Sequence, residues 1–153
     1  MSDLRLNAYL PYRLSVAANA VSELIARAYQ ARFGLTIPQW RLIAVLGENG
    51  PSTPQVLCAL TVMDKVTVSR AAAGLIQRGL VTRSPNTADR RSHHLDLTPI
   101  GRGLYDEVAP LALAHERRLL EGFSPDEREL IHGLLRRLEV AAKALGGQPR
   151  GAI

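Results

Sequence analysis

From position 10 to position 33 apolar residues return at helical spacing, Leu10, Leu14, Ala17, Val21, Leu24, Ile25 and Ala28, with Gly34 as a stop. The spacing predicts one long helix over 10–33. Thr36-Ile37-Pro38-Gln39 has the form of a capping box, in which hydroxyl and amide satisfy free N–H groups at a helix start, so a second helix is expected over 37–46. Glu48-Asn49-Gly50-Pro51 is the turn after it. Ser52 or Thr53 caps a third helix with Pro54 in its first turn and Val56, Leu57 and Leu60 as its core side. A short turn, Thr61-Val62-Met63, leads to a fourth helix over 65–78, whose buried stripe is Val68, Ala71, Ala72, Leu75 and Ile76. Gly79 ends it, Leu80-Val81-Thr82 and His94-Leu95-Asp96-Leu97 read as strands, and the polar, turn-rich stretch 84–92 between them cannot form core. Thr98-Pro99 starts a long helix to about Leu120, with Leu104, Val108, Leu111 and Leu119 among its apolar positions and a kink expected at 106–110 because Pro110 removes a backbone bond. Ser124-Pro125-Asp126-Glu127 is a second capping box, opening a helix with Leu130, Ile131, Leu134, Leu135, Leu138, Ala142 and Leu145 on one wide side.

The fourth helix has an unusual far side. Val66, Thr67, Arg70, Ala73, Gly74 and Gln77 occupy it, and the small residues leave it low and flat where a merely solvated helix carries long charged chains. The major groove of DNA admits one α-helix and accepts Arg on guanine, Gln on adenine and an apolar group on a thymine methyl. Arg70, Gln77 and Val66 fit those roles, with Thr67 and Ser69 as short hydroxyl donors near the helix start. Residues 64–102 carry seven basic side chains (Lys65, Arg70, Arg78, Arg83, Arg90, Arg91, Arg102) against three acidic ones, while the whole chain is only +5. Two short helices, then strand, basic tip and strand, is the order of a winged helix-turn-helix. The expected fold class is mainly α with a small β-hairpin wing.

Three pieces of this region resemble the MarR-type bacterial transcription regulators, dimeric winged-helix proteins. They are residues 64–70 (Asp-Lys-Val-Thr-Val-Ser-Arg), residues 75–81 (Leu-Ile-Gln-Arg-Gly-Leu-Val), and Asp89-Arg90-Arg91 followed by Leu95-Asp96-Leu97-Thr98. Their order and spacing are specific, and the likeness covers roughly residues 8–145. By the resemblance, Asp89 orients the wing tip while Arg91, with Arg90, reaches a minor groove or phosphate, and Lys65 joins the DNA-binding set. It also implies a small, often aromatic, anionic effector in a cleft between dimerisation helices and winged domain. Tyr9, Tyr12 and Arg13, with Trp40 and Arg41, are the candidates to clamp such a carboxylate. The competing reading packs Trp40 in the core and Tyr9 and Tyr12 in a dimer contact.

Length and composition fit one soluble globular domain over 1–153, with a DNA-binding part at 36–98 and dimerisation helices at 8–34 and 99–146. The basic residues are 17 Arg and two Lys, and Arg is the better bidentate partner for phosphate and guanine. No signal-like start or membrane-length apolar run is present, so a cytoplasmic location is expected. The lone Cys58 excludes an internal disulfide and lies among apolar neighbours, where a thiol is usually inert; peroxide-sensing members of the family that this chain resembles place a reactive cysteine in the first long helix, where this chain has none. His93 and His94 alternate across a strand, and His115 and His132 lack a ligand three or four residues away, so no metal site is expected, and no cofactor motif is read. No Ser-His-Asp, paired-carboxylate or glycine-rich phosphate pattern points to an enzyme.

The first helix and the last two carry apolar faces too broad for a monomer of this size to cover. A two-fold homodimer built from 10–33 and 102–145 is expected, presenting its two copies of the fourth helix to a pseudo-palindrome of double-stranded DNA, half-sites about 34–36 Å apart. Two alternatives stand beside this regulator: a helical module whose basic hairpin binds an acidic protein, and a ligand-independent architectural DNA binder.

Overall fold

The computed structural model describes residues 3–147; the ends of the expected 1–153 domain lie outside them. A 3-10 turn at Leu6–Ala8 precedes helices α1 (Leu10–Ala26), α2 (Gln30–Phe33), α3 (Ile37–Asn49), α4 (Pro54–Thr61) and α5 (Lys65–Gln77). Strands β1 (Val81–Pro85) and β2 (His93–Leu97) follow, then α6 (Pro99–Leu119) and α7 (Pro125–Gly146). The chain divides into two compact units, one ending at His115 and one beginning at Glu116. No helix among the described residues is long and apolar enough to cross a membrane.

The expected single helix over 10–33 is two helices. At Ala28 and Tyr29 the bonding tightens to Ile25 O and Ala26 O, and Tyr29 leaves helical geometry at φ −134°. No glycine or proline marks the break. It lets Tyr29 turn inward, where it is 2% exposed and stacks on Trp40 at 5.6 Å, with Tyr105 of α6 6.2 Å beyond. Burial of an aromatic ring outweighs the few backbone bonds lost at the bend. Gly34 then stops α2 at φ +63°.

Both capping boxes form: Thr36 Oγ1 accepts from Gln39 N and Gln39 Oε1 from Thr36 N, and Ser124 and Glu127 repeat the exchange. Thr53, not Ser52, caps α4. Ser52 instead pairs with Leu95 through both backbone bonds, adding a one-residue bridge beside the wing. Val56 and Leu60, expected in the core, are 43% and 50% exposed. α4 buries Leu57 and Thr61, which are also four apart, and its outer row faces away from them.

Leu42, Ile43, Leu46, Leu57, Val68 and Leu75 are fully buried and tie α3, α4 and α5 into one core, closed by Leu95 from the wing and Val108 from α6. β1 and β2 are antiparallel with Val81 opposite Leu97 and Arg83 opposite Leu95. α6 runs helical through Pro110. Its start is sewn to the foot of the wing: Thr98 Oγ1 donates to Gly79 O (2.6 Å) and accepts from Gly101 N (3.0 Å).

Every residue of α1 from Leu10 to Val21 is exposed. In the second unit α7 buries nothing, and Leu130, Leu134, Leu135 and Leu145 stand open on it.

Candidate nucleic-acid interface

α5 begins at Asp64, whose Oδ1 accepts from Thr67 N at 2.7 Å. That backbone N–H is the main reason the carboxyl pKa is held below the ordinary aspartate value, and the Arg70 guanidinium adds a smaller pull in the same direction. Asp64 therefore fixes the first turn of the helix on which the candidate contacts sit, a role missed in the sequence although an Asp before an apolar-periodic run is the usual signal.

Val68, Ala71, Ala72 and Leu75 are buried as expected. Opposite them Val66, Arg70, Ala73 and Gln77 form one exposed row at helical spacing, with Val66 59% exposed. Arg70 makes no ion pair among the described residues. Gly74 is not part of this exposed row. A Cβ there would lie 2.7 Å from Gln39 Nε2, so Gly74 admits the α3 capping side chain against the helix flank. Thr67 is half-buried and Ser69 exposed, on opposite flanks of the row.

The wing lies on Ser69's side. Gln55, Cys58, Lys65, Arg91 and His93 line a cleft of about 490 Å³, and an adjoining space adds Ser69 and Arg83. Lys65, Arg83 and Arg91 are thus gathered between the start of α5 and the hairpin, and no acidic residue lines that space. At the tip Asp89 Oδ1 accepts from Arg91 N (3.0 Å), Asp89 O from Ser92 N (3.2 Å), and Asn86 Oδ1 from Ala88 N (3.1 Å). These turn bonds present Arg90 and Arg91 to solvent.

Arg83 was not among the expected contacts. Its signal is strand alternation: it shares a face with buried Val81, so it continues the inward face of β1 beyond the core and arrives beside α5. Two counted charges are used elsewhere. Arg78 donates to Phe33 O and Gly34 O, and Arg102 donates to Gly47 O while lying over the Tyr105 ring. Cys58 is half-buried at the cleft wall, not sealed among apolar groups. Among the described residues no three His, Cys, Asp or Glu side chains gather as a metal site.

The five candidate effector residues do not form one cluster in the chain. Arg41 reaches Ser22 Oγ at 3.5 Å, and Trp40 stands between Tyr29 and Tyr105. Arg13 is nine residues before Ser22, roughly 13 Å along α1, and Tyr9, Tyr12 and Arg13 are all exposed there. Tyr29 was missed; burial raises its phenol pKa, and the nearby Arg41 charge opposes part of that rise.

Chemically, the exposed row can enter a groove while the cleft cations meet phosphate, the division of labour between base contacts and backbone contacts in DNA recognition. Known proteins agree with this geometry. The MarR family model matches residues 33–92. The HTH-type transcriptional repressor NicR of Pseudomonas putida is 30% identical over 128 residues, covering 77% of this chain and 81% of that protein. Among solved structures, a MarR/EmrR family transcriptional regulator from Acinetobacter sp. ADP1 superposes with a TM-score of 0.84 at 25% identity, over 92% of this chain and 99% of that one. Bordetella bronchiseptica BpsR, whose DNA binding is regulated by 6-hydroxynicotinic acid, gives 0.77 at 28% identity over 85% and 98%. With its helix-turn-helix, its basic wing and these relatives, the chain belongs to the MarR family of transcriptional regulators, which are winged-helix DNA-binding proteins and not enzymes.

Proposed function

We propose that the protein is a homodimeric, cytoplasmic repressor that binds a pseudo-palindromic operator. The observation that carries this reading is the exposed row Val66, Arg70, Ala73 and Gln77 beside a cleft holding Lys65, Arg83 and Arg91. Arg70 and Gln77 read base edges, Val66 meets a thymine methyl, and Thr67 and Ser69 donate near the helix start. Lys65, Arg90 and Arg91 hold phosphate or the minor groove, with Asp89 keeping the tip in shape. The open apolar side chains of α1 and α7 support dimerisation, because surfaces of that extent are normally covered.

The effector is a small aromatic carboxylate, a class supported by 6-hydroxynicotinic acid on BpsR. Arg41 supplies the counter-charge and Trp40 the ring edge. Tyr9, Tyr12 and Arg13 belong to the exposed start of α1 and its dimer contact.

Selection from a random duplex pool tests the reading. The expected product is a pseudo-palindrome with half-sites about one helical turn apart, bound by two chains. Duplex binding without enrichment would favour an architectural binder, and no duplex binding at all an acidic protein partner.

A further inference from the structure

The flank of α5 away from the wing cleft is tied to the segment that opens the DNA-binding part. Arg78 closes α5 with its own N–H, donated to Gly74 O, while its guanidinium reaches the last carbonyls of α2: Phe33 O at 2.7 Å and Gly34 O at 3.2 Å. A cation on terminal helix carbonyls is a favourable arrangement, and the planar fork serves both oxygens at once. One turn earlier Gly74 lies against Gln39, whose Oε1 holds Thr36 N at 3.0 Å. Residues 33–39 are therefore clamped to α5 at two points.

Those carbonyls are exposed, so water would satisfy them without Arg78. What the guanidinium adds is a connection between segments forty-four residues apart in sequence. The other end of α2 is equally constrained, because its N-cap is Tyr29, buried and stacked on Trp40. α2 is a four-residue rod with an aromatic stack at one end and Arg78, the C-cap of α5, at the other.

We infer that Arg78 is a positioning residue that carries changes at the Tyr29, Trp40 and Tyr105 stack to the DNA-reading helix. A shift of α2 moves the carbonyls of Phe33 and Gly34, and Arg78 takes the end of α5, with Gln77, along. The inference rests on the DNA-binding reading for its operator readout, and one arm of its test is independent of DNA.

Trp40→Phe thins the stack while keeping an aromatic ring, and Tyr105→Leu is a second perturbation should the first impair folding. Each is made with Arg78 and with Arg78→Gln, and operator Kd is measured for all. With Arg78 present the stack change is expected to shift operator affinity by about fivefold or more, the lower end of ordinary allosteric couplings. In the Arg78→Gln chain the same change should shift it less than about twofold, with Arg78→Lys between. Equal shifts in both backgrounds, or less than about twofold with Arg78 present, would show that Arg78 is only a cap. If the wild-type chain binds no duplex, the functional reading fails by itself. The brace is then judged by the backbone amide shifts of Ala73 and Gln77 in NMR. They should move with Trp40→Phe when Arg78 is present and move much less in Arg78→Gln; equal movement overturns the inference.

Discussion

Gly101→Ala is the most severe single methyl addition the structure offers. A Cβ at Gly101 would stand 2.0 Å from Leu80 O, 2.9 Å from its carbonyl carbon and 3.3 Å from its Cα. Real Cβ atoms essentially never come within 3.0 Å, and the obstacle is backbone, so α6 and the foot of the wing must separate by about 1 Å or more. Overpacking of that kind costs about 1–3 kcal/mol. The bonds from Thr98 N to Leu80 O and from Thr98 Oγ1 to Gly79 O cross the same seam, and losing both adds about 1–3 kcal/mol. Alanine returns about 1 kcal/mol of helix propensity. The net destabilisation is about 1–5 kcal/mol, centred near 3, out of a typical total of about 5–15. Calorimetry should show Tm lower by about 6–12 °C. Gly103→Ala, where nothing lies within 4 Å, is the matched control and should be neutral to slightly stabilising. A Gly101→Ala chain within about 0.5 kcal/mol of wild type would refute the packing argument.

Val62 turns the helix-turn-helix at φ +55° with its side chain 88% exposed, so Val62→Asn should relieve left-handed strain without losing packing and raise Tm by about 2–4 °C. No rise in a thermal melt would show that the turn stores no strain. Asp64→Ala should be less stable than wild type at neutral pH. Because the folded pKa is depressed, this advantage of the wild type is complete above the ordinary aspartate range and disappears as pH falls through the lowered folded value; urea titrations at several pH values check the convergence. For the proposed homodimer, wild type should sediment at the mass of two chains and Leu134→Glu with Leu138→Glu on α7 at the mass of one, with helicity retained. An unchanged mass would place the dimer contact elsewhere.

Much of the fold is legible in the chain because local chemistry and tertiary demand coincide there. Thr36 with Gln39 and Ser124 with Glu127 satisfy their own helix starts whatever packs around them, and Gly79 takes φ +70° where a side chain would be strained. The stripe of α5 is legible because its period and its burial agree. The α1 break is not, since it is decided by Tyr29 finding Trp40 and nothing between positions 26 and 30 announces it. Val56 and Leu60 read as core because apolar identity says nothing about which of two rows turns inward. Counting charge over 64–102 gathers Arg78 and Arg102 with the candidate DNA contacts, though each is spent on a backbone carbonyl that only the folded chain brings near. Arg83 shows the converse, a cation recoverable from strand alternation once the register of β1 is known.

The central claim is that α5 reads bases while the wing holds the backbone. Operator and random-duplex affinities of wild type, Arg70→Ala and Arg91→Ala over a salt series separate these roles directly. Arg70→Ala should lose about 1–3 kcal/mol on the operator and relax preference at one position, whereas Arg91→Ala should weaken both duplexes alike and flatten the plot of log affinity against log salt by about one unit. Unchanged operator affinity and salt slope in both variants would contradict the account.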